Sequence, residues 1–161
     1  MRKAIAIGML AFALAANTAA AQTDAEQAQI LRDFQRSVVD YTQRDACLLS
    51  PEAHTAGAPA PRIFTLPVAM VFRQMIGHAL AAPDGVAIGG VTANHRATVM
   101  AAFPASELVE FPKRLSETLP LLPVPLEYRL IDSDLVIRDV QADVIVAVLP
   151  HAIGTATMTR R

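Results

Sequence analysis

Tryptophan is absent from this chain, cysteine occurs once, and aromatic residues make up only 5% of its 161 residues. The single Cys47 excludes an internal disulfide and any multi-cysteine zinc or iron–sulfur site. So few aromatics argue against a platform on which sugars or bases stack. Basic excess is missing too: 14 Lys and Arg stand against 15 Asp and Glu, for a net charge of -1. Without it there is nothing to neutralise a phosphate backbone, and nucleic acid is disfavoured as a partner. The motifs of common catalysts are lacking as well. No G-x-S-x-G elbow and no H-E-x-x-H pair occur, and Gly89-Gly90 lacks the lysine and helix of a phosphate loop. What is plentiful is apolar surface. Hydrophobic residues reach 53% and charged ones only 18%, which excludes wholesale disorder and fits one domain of ordinary size.

Residues 1–21 read as a secretory signal peptide. Arg2 and Lys3 form a positive start, Ala4 to Ala16 an apolar stretch, and Ala19-Ala20-Ala21 an A-x-A cleavage site before Gln22. The apolar stretch is shorter than the roughly 20 residues that span a bilayer; an uncleaved N-terminal anchor is the alternative. Cleavage takes Arg2 and Lys3 from the 14 basic residues and leaves 12 against 15 acidic ones. No later stretch spans a membrane without a charge or proline, so no stable membrane span is expected after cleavage. The expected location is the periplasm. There a lone cysteine reads as a small buried or loop residue, with a free thiol or an intermolecular bridge as alternatives.

The fold expected is α+β: an N-terminal helix, a proline-rich loop, a second core helix, and a C-terminal β-hairpin followed by a short helix or a third strand. Residues 22–46 carry the first helix, over about 24–44. Thr23-Asp24-Ala25-Glu26 is a capping box, and Ala28, Leu31, Phe34, Val38 and Tyr41 recur at helical spacing. Residues 47–62, punctuated by Pro51, Gly57, Pro59 and Pro61, form a loop. A small α+β domain then covers 63–153. Thr65 is the N-cap candidate for its helix, in which Val68, Val71, Phe72, Met75, Ile76, Ala79 and Leu80 build a wide apolar stripe; Pro83-Asp84-Gly85 stops it. Residues 86–104 are ambiguous between strand and irregular arm, and the five prolines of 104–125 permit only helical turns, at 106–111 and 113–119. The tail is 154–161.

Two alternating runs, 126–131 and 134–138, flank Asp132-Ser133, a candidate two-residue turn. This register sets Leu130 against Leu135 and Tyr128 against Ile137 on an apolar face. It sets Glu127 against Arg138 and Arg129 against Val136 on the other. A turn at Ser133-Asp134 would instead oppose Arg129 with Arg138, two like charges. Asp139 reads as the N-cap of a helix over about 140–149. The valines and isoleucines there favour a strand locally, which keeps the third-strand alternative open.

The ordered set Leu119-Pro120-Leu121-Leu122-Pro123, Leu126-Glu127-Tyr128-Arg129, Asp134-Leu135-Val136-Ile137-Arg138-Asp139, Ala142 and Ile145-Val146 resembles a family of small exported bacterial proteins. Ile63-Phe64-Thr65, Phe72-Arg73 and Pro83-Asp84-Gly85 extend the resemblance over roughly residues 24–153. Some members carry glycine where Asp132 stands; the stretch from Ala87 to Met100 departs most. The resemblance implies an exported location and brings no activity, because the family is uncharacterised and has no catalytic residues to carry over.

Candidate chemistry is sparse. Histidines at 54, 78, 95 and 151 include no helical metal pair, and His78 falls on the polar side of its helix. Asp132 and Asp134 are spaced as in a calcium loop, but Leu135-Val136-Ile137 occupy the remaining ligand places, so a turn pair is the better reading. Cys47 and His54 have the residue types of a thiol nucleophile and its base, with no orienting group in view. No catalytic residue, metal or cofactor is assigned. Glu127, Arg129, Arg138 and Asp139 read either as a charge ladder on the hairpin's wet face with a helix cap, or as an exposed surface for an envelope protein or an anionic ligand.

The expectation is a non-enzymatic binding or interaction module of the cell envelope. One alternative is a small periplasmic enzyme whose site forms only in space, from His78, His95, Asp84 and Glu127. The other is a hydrophobic-ligand carrier built on Met70, Phe72, Met75 and Ile76, side chains that otherwise serve as core.

Overall fold

A computed structural model describes residues 10–47, 62–81, 97–103 and 110–154, with side chains in the first segment described for 23–44. Three helices precede a three-stranded antiparallel sheet: α1 (Leu10–Cys47), α2 (Leu66–Ala81), α3 (Lys113–Thr118), β1 (Leu126–Ile131), β2 (Asp134–Asp139) and β3 (Val144–Leu149). The strand order is β1-β2-β3.

Helix α1 extends well before the start expected near residue 24. Alanine is the best helix former, and the Ala-rich stretch read as part of the leader continues the same helix. Thr23 therefore lies inside α1 rather than capping its start. Only one stripe of α1 is buried, through Phe34, Val38 and Tyr41. In α2 the stripe is wide, with Val68, Ala69, Val71, Phe72, Ile76 and Ala79 buried. Thr65 immediately precedes α2, and its carbonyl accepts the Ala69 N–H at 2.8 Å, the first bond of the helix. Phe72 is fully buried and sits between Phe34 (ring centroids 4.8 Å apart) and Phe64 (5.3 Å, edge to face). These aromatic contacts join both helices to the segment that enters α2.

The hairpin has the register that the charge argument selects. Leu130 pairs with Leu135, Tyr128 with Ile137, Glu127 with Arg138 and Arg129 with Val136. Asp132, first of the two turn residues, has φ 52. Aspartate enters the left-handed region more readily than most residues, and a two-residue hairpin turn needs that region at its first position. Residues 144–149 form a third strand, not a helix. A strand lets their β-branched side chains reach both sides of the sheet. Asp139 accordingly caps a turn: its Oδ1 accepts the N–H groups of Gln141 (2.8 Å) and Ala142 (3.0 Å). Asp143, at φ 54, completes the reversal into β3. A register shift between Ile137 and Arg138 leaves Val146 as the extra residue of a bulge on β3.

Each face of the sheet buries apolar side chains. One face carries Leu126, Leu135, Ile137 and Leu149 into the core shared with the helices. The other carries Ile131, Val136 and Ile145, packed with Phe103. The segment that contains Phe103 also borders β3. Ala102 bridges to Val144, Met100 N–H donates to the Ile145 carbonyl at 2.7 Å, and Ile145 N–H donates to the Ala101 carbonyl at 2.9 Å. After β3 the chain folds back to the hairpin turn: His151 N–H donates to Asp134 Oδ1 at 2.8 Å, Ile153 N–H to the Ser133 carbonyl at 3.0 Å, and Ile153 is buried. Arg73 of α2 donates to the Pro150 carbonyl at 2.8 Å and ties that end to the helix layer.

Candidate functional site

Strand alternation places Glu127 and Arg129 on one face of β1, and the hairpin register brings Arg138 opposite Glu127. Glu127 Oε2 lies 2.6 Å from Arg129 Nη2, and Glu127 Oε1 lies 3.0 Å from Arg138 Nη1. Arg138 Nη2 reaches Asp143 Oδ1 at 2.6 Å, and its guanidinium carbon stands 4.9 Å from the centre of the Phe103 ring. Two carboxylates thus neutralise two guanidiniums in one connected ladder. The hydrogen bond from Arg129 is the first cause holding the Glu127 carboxyl below its ordinary value; burial pulls the other way, and the charges of Arg129 and Arg138 add to the lowering.

This face was expected to be wet. Its charged side chains are in fact largely shielded, with relative exposures of 27% for Glu127, 21% for Arg129 and 13% for Arg138. The face also buries Val136 and Ile145, and Phe103 covers the aliphatic base of the ladder. Cation–π contact over Phe103 and a half-desolvated carboxylate pair favour a fixed arginine geometry.

Asp139 does not join the ladder. It points to the helix-covered face and is 4% exposed. There the Tyr41 hydroxyl of α1 donates to Asp139 Oδ2 at 3.4 Å. Asp139 thus closes the β2–β3 turn and meets α1. Tyr128, on the same face, packs against Phe72 and stacks on Phe111, and its hydroxyl donates to the Pro120 carbonyl at 2.9 Å. Burial pushes its phenol above the ordinary tyrosine value.

Sequence reasoning grouped Glu127, Arg129 and Arg138 with Asp139. Three of these converge, and Asp143 and Phe103 complete their cluster. Neither newcomer carries a sequence signal that would place it there. Asp143 depends on the left-handed turn into β3, and Phe103 depends on a segment whose path periodicity does not reveal. Of the other candidates, His78 is exposed on α2, and Asp134 Oδ1 accepts the His151 amide. The Cys47 side chain, His54, Asp84 and His95 lie outside the described residues. Phe72 and Ile76 are core, Met75 is half-buried and Met70 is 63% exposed, so these four do not line a common cavity. An open hollow of about 340 Å³ lies elsewhere, between the entry to α2 (Phe64, Leu66) and Val99 and Val148. Among the described residues no group of three or more His, Cys, Asp or Glu could hold a metal ion, and no helix is long and apolar enough to cross a membrane.

The most exposed large apolar side chains of the described residues stand beside the sheet. Leu121 is 85% and Val124 90% exposed, in the run Pro120-Leu121-Leu122-Pro123-Val124-Pro125. This run is braced rather than loose. The Pro120 carbonyl accepts from Tyr128, the Pro123 carbonyl accepts the Leu126 N–H at 2.9 Å, and the Pro125 carbonyl accepts the Val140 N–H at 3.1 Å. Comparison with known proteins finds no matching family model, no similar curated protein and no similar solved structure.

Proposed function

We propose that the protein is a non-enzymatic binding or interaction module exported to the bacterial periplasm, where it engages another protein of the cell envelope. The observation that carries this reading is the proline-braced pair Leu121 and Val124. Large apolar side chains held out to water by a braced backbone present binding surface whose ordering cost is already met. Prolines at 120, 123 and 125 narrow the backbone further, as in extended segments that dock into apolar grooves. The ionic ladder of Glu127, Arg129, Arg138 and Asp143 supports the same reading, because its ion pairs stiffen the sheet beside that segment. The export pattern of residues 1–21 and the resemblance to small exported bacterial proteins support the location.

The test combines fractionation with site-specific photo-crosslinking in the producing cells. A crosslinking residue replaces Leu121 or Val124, with exposed Lys113 as the control position. The reading expects the protein in the periplasmic fraction and one discrete adduct from positions 121 and 124 that is absent from 113. Retention in the cytoplasm, or crosslinks no different from the control, would sink it.

A further inference from the structure

The two edges of the sheet differ. The β3 edge is bridged by Ala102 and the backbone bonds around it. Strand β1 is the opposite edge, and among the described residues no strand pairs with its outer side. Hairpin geometry says which backbone groups face outward. The residues flanking a two-residue turn form a hydrogen-bonded pair, and bonded pairs then alternate along the ladder. Ile131, Arg129 and Glu127 therefore bond to β2. The Val140 N–H to Pro125 carbonyl bond continues this phase, and the Leu126 N–H, bonded to Pro123, points the other way as alternation requires. Leu126, Tyr128 and Leu130 thus aim their backbone groups at the outer edge, and among the described residues no group bonds those of Tyr128 or Leu130. An edge left unpaired among the described residues is a template for another strand.

The side chains on the edge say which strand fits. The stretch Leu126-Glu127-Tyr128-Arg129-Leu130 is symmetric in polarity about Tyr128 and antisymmetric in charge. Two antiparallel copies related by a two-fold axis normal to the sheet must centre on a single residue if their faces are to stay continuous. Centred on Tyr128, Leu126 opposes Leu130, and Glu127 opposes Arg129 on both sides of the axis. Centred on Glu127 or on Arg129, like charges oppose each other directly, which is destabilising. Of these three registers, only the one centred on Tyr128 sets unlike charges opposite each other, and it also aligns the outward backbone groups of Tyr128 with each other.

We infer that a second copy of this chain occupies the β1 edge, joining two three-stranded sheets into one six-stranded sheet centred on Tyr128. Tyr128 exchanges backbone bonds with its symmetry mate, and the Leu130 N–H donates to the partner's Leu126 carbonyl. Such an isologous contact is self-complementary and closed. A five-residue edge contact is small beside a standard interface, so the dimer is weak and depends on concentration. This inference does not rest on the envelope reading, because it needs neither Leu121 nor Val124.

The test starts with sedimentation of the purified protein, in the form the cell accumulates, from micromolar to near-millimolar concentration. The expected result is a monomer–dimer equilibrium. R129E opposes two carboxylates across the axis and weakens the dimer about tenfold or more; it also gives up the Arg129–Glu127 bond within its own chain. E127R alone weakens the dimer likewise, and mixing E127R with R129E restores a heterodimer, because every opposed pair is then of unlike charge. E127R also faces Arg138 within its own chain, so a measurement without substitutions stands beside it. Hydrogen exchange on the unaltered protein should show the Tyr128 and Leu130 amides gaining protection as concentration rises. A protein monomeric throughout the range overturns the inference. So does a dimer that is indifferent to R129E, or one whose formation leaves those two amides exchanging as before.

Discussion

Asp139 is a carboxylate at 4% exposure with three donors around it: the amides of Gln141 and Ala142 and the Tyr41 hydroxyl. A buried carboxylate costs several kcal/mol unless such donors meet it, and the two turn amides in turn lose their acceptor if it is removed. The two sides are unequal. Asp139→Ala strands two turn amides and should destabilise the fold by about 1–3 kcal/mol. Tyr41→Phe removes the 3.4 Å bond to Asp139, keeps the ring packed, and should cost less, about 0.5–1.5 kcal/mol. Urea unfolding of the two variants checks the order. Equal losses would mean that α1, rather than the turn, is what Asp139 holds. The sequence shows Asp139 as a capping residue, which it is. It does not show that the cap closes a turn between strands, since that depends on how residues 144–149 fold.

Among the elements, the hairpin is the one whose register sequence alone decides. Alternation sets the faces, and the sign of the charge at Arg129 and Arg138 chooses between neighbouring turns. The Glu127–Arg138 pair then has a measurable consequence. A cycle of Glu127→Ala, Arg138→Ala and the double variant should return a coupling energy of about 0.2–1 kcal/mol; purely additive effects would contradict the observed pairing. Acid gives a second reading of the same contact. Arg129 and Arg138 hold the folded-state pKa of Glu127 below its ordinary 4.5. Its contribution is therefore fully present above that ordinary value and is lost as pH falls through the lowered one. Glu127→Gln should flatten this part of the acid dependence, followed by urea midpoints from neutral pH downward. The helices show how far periodicity reaches. Both stripes of α1 and α2 are legible, and Thr65 marks the start of α2. The start of α1 is not legible, because a capping box can sit within a helix when the residues before it are strong helix formers.

At the scale of the whole molecule, stability rests on a sheet clamped from two sides. Leu135 is the second residue of β2 and has 0% exposure, within the core that the helices share. Leu135→Asp puts an unpaired carboxylate there, a cost larger than a small domain's margin, and should abolish cooperative unfolding of the whole protein by circular dichroism and calorimetry. Phe34→Ala, on α1, should cost about 3–5 kcal/mol while keeping one transition. A Leu135→Asp protein that still melted as the parent does would refute the single shared core.

What the sequence by itself determined is local and periodic. It marked the apolar stripes, the turn residues, the pairing of Glu127 with Arg138 and the α+β order, because each follows from the spacing of neighbours along the chain. Tertiary structure decided the rest. It made a strand of 144–149, because an open sheet edge beside β2 outweighs helical spacing when the side chains are valine and isoleucine. It turned an expected wet face into a second buried one by laying Phe103 against it. It also sent Asp139 to the opposite face from the arginines. These outcomes depend on contacts between residues tens of positions apart, and long-range packing writes no period into the chain.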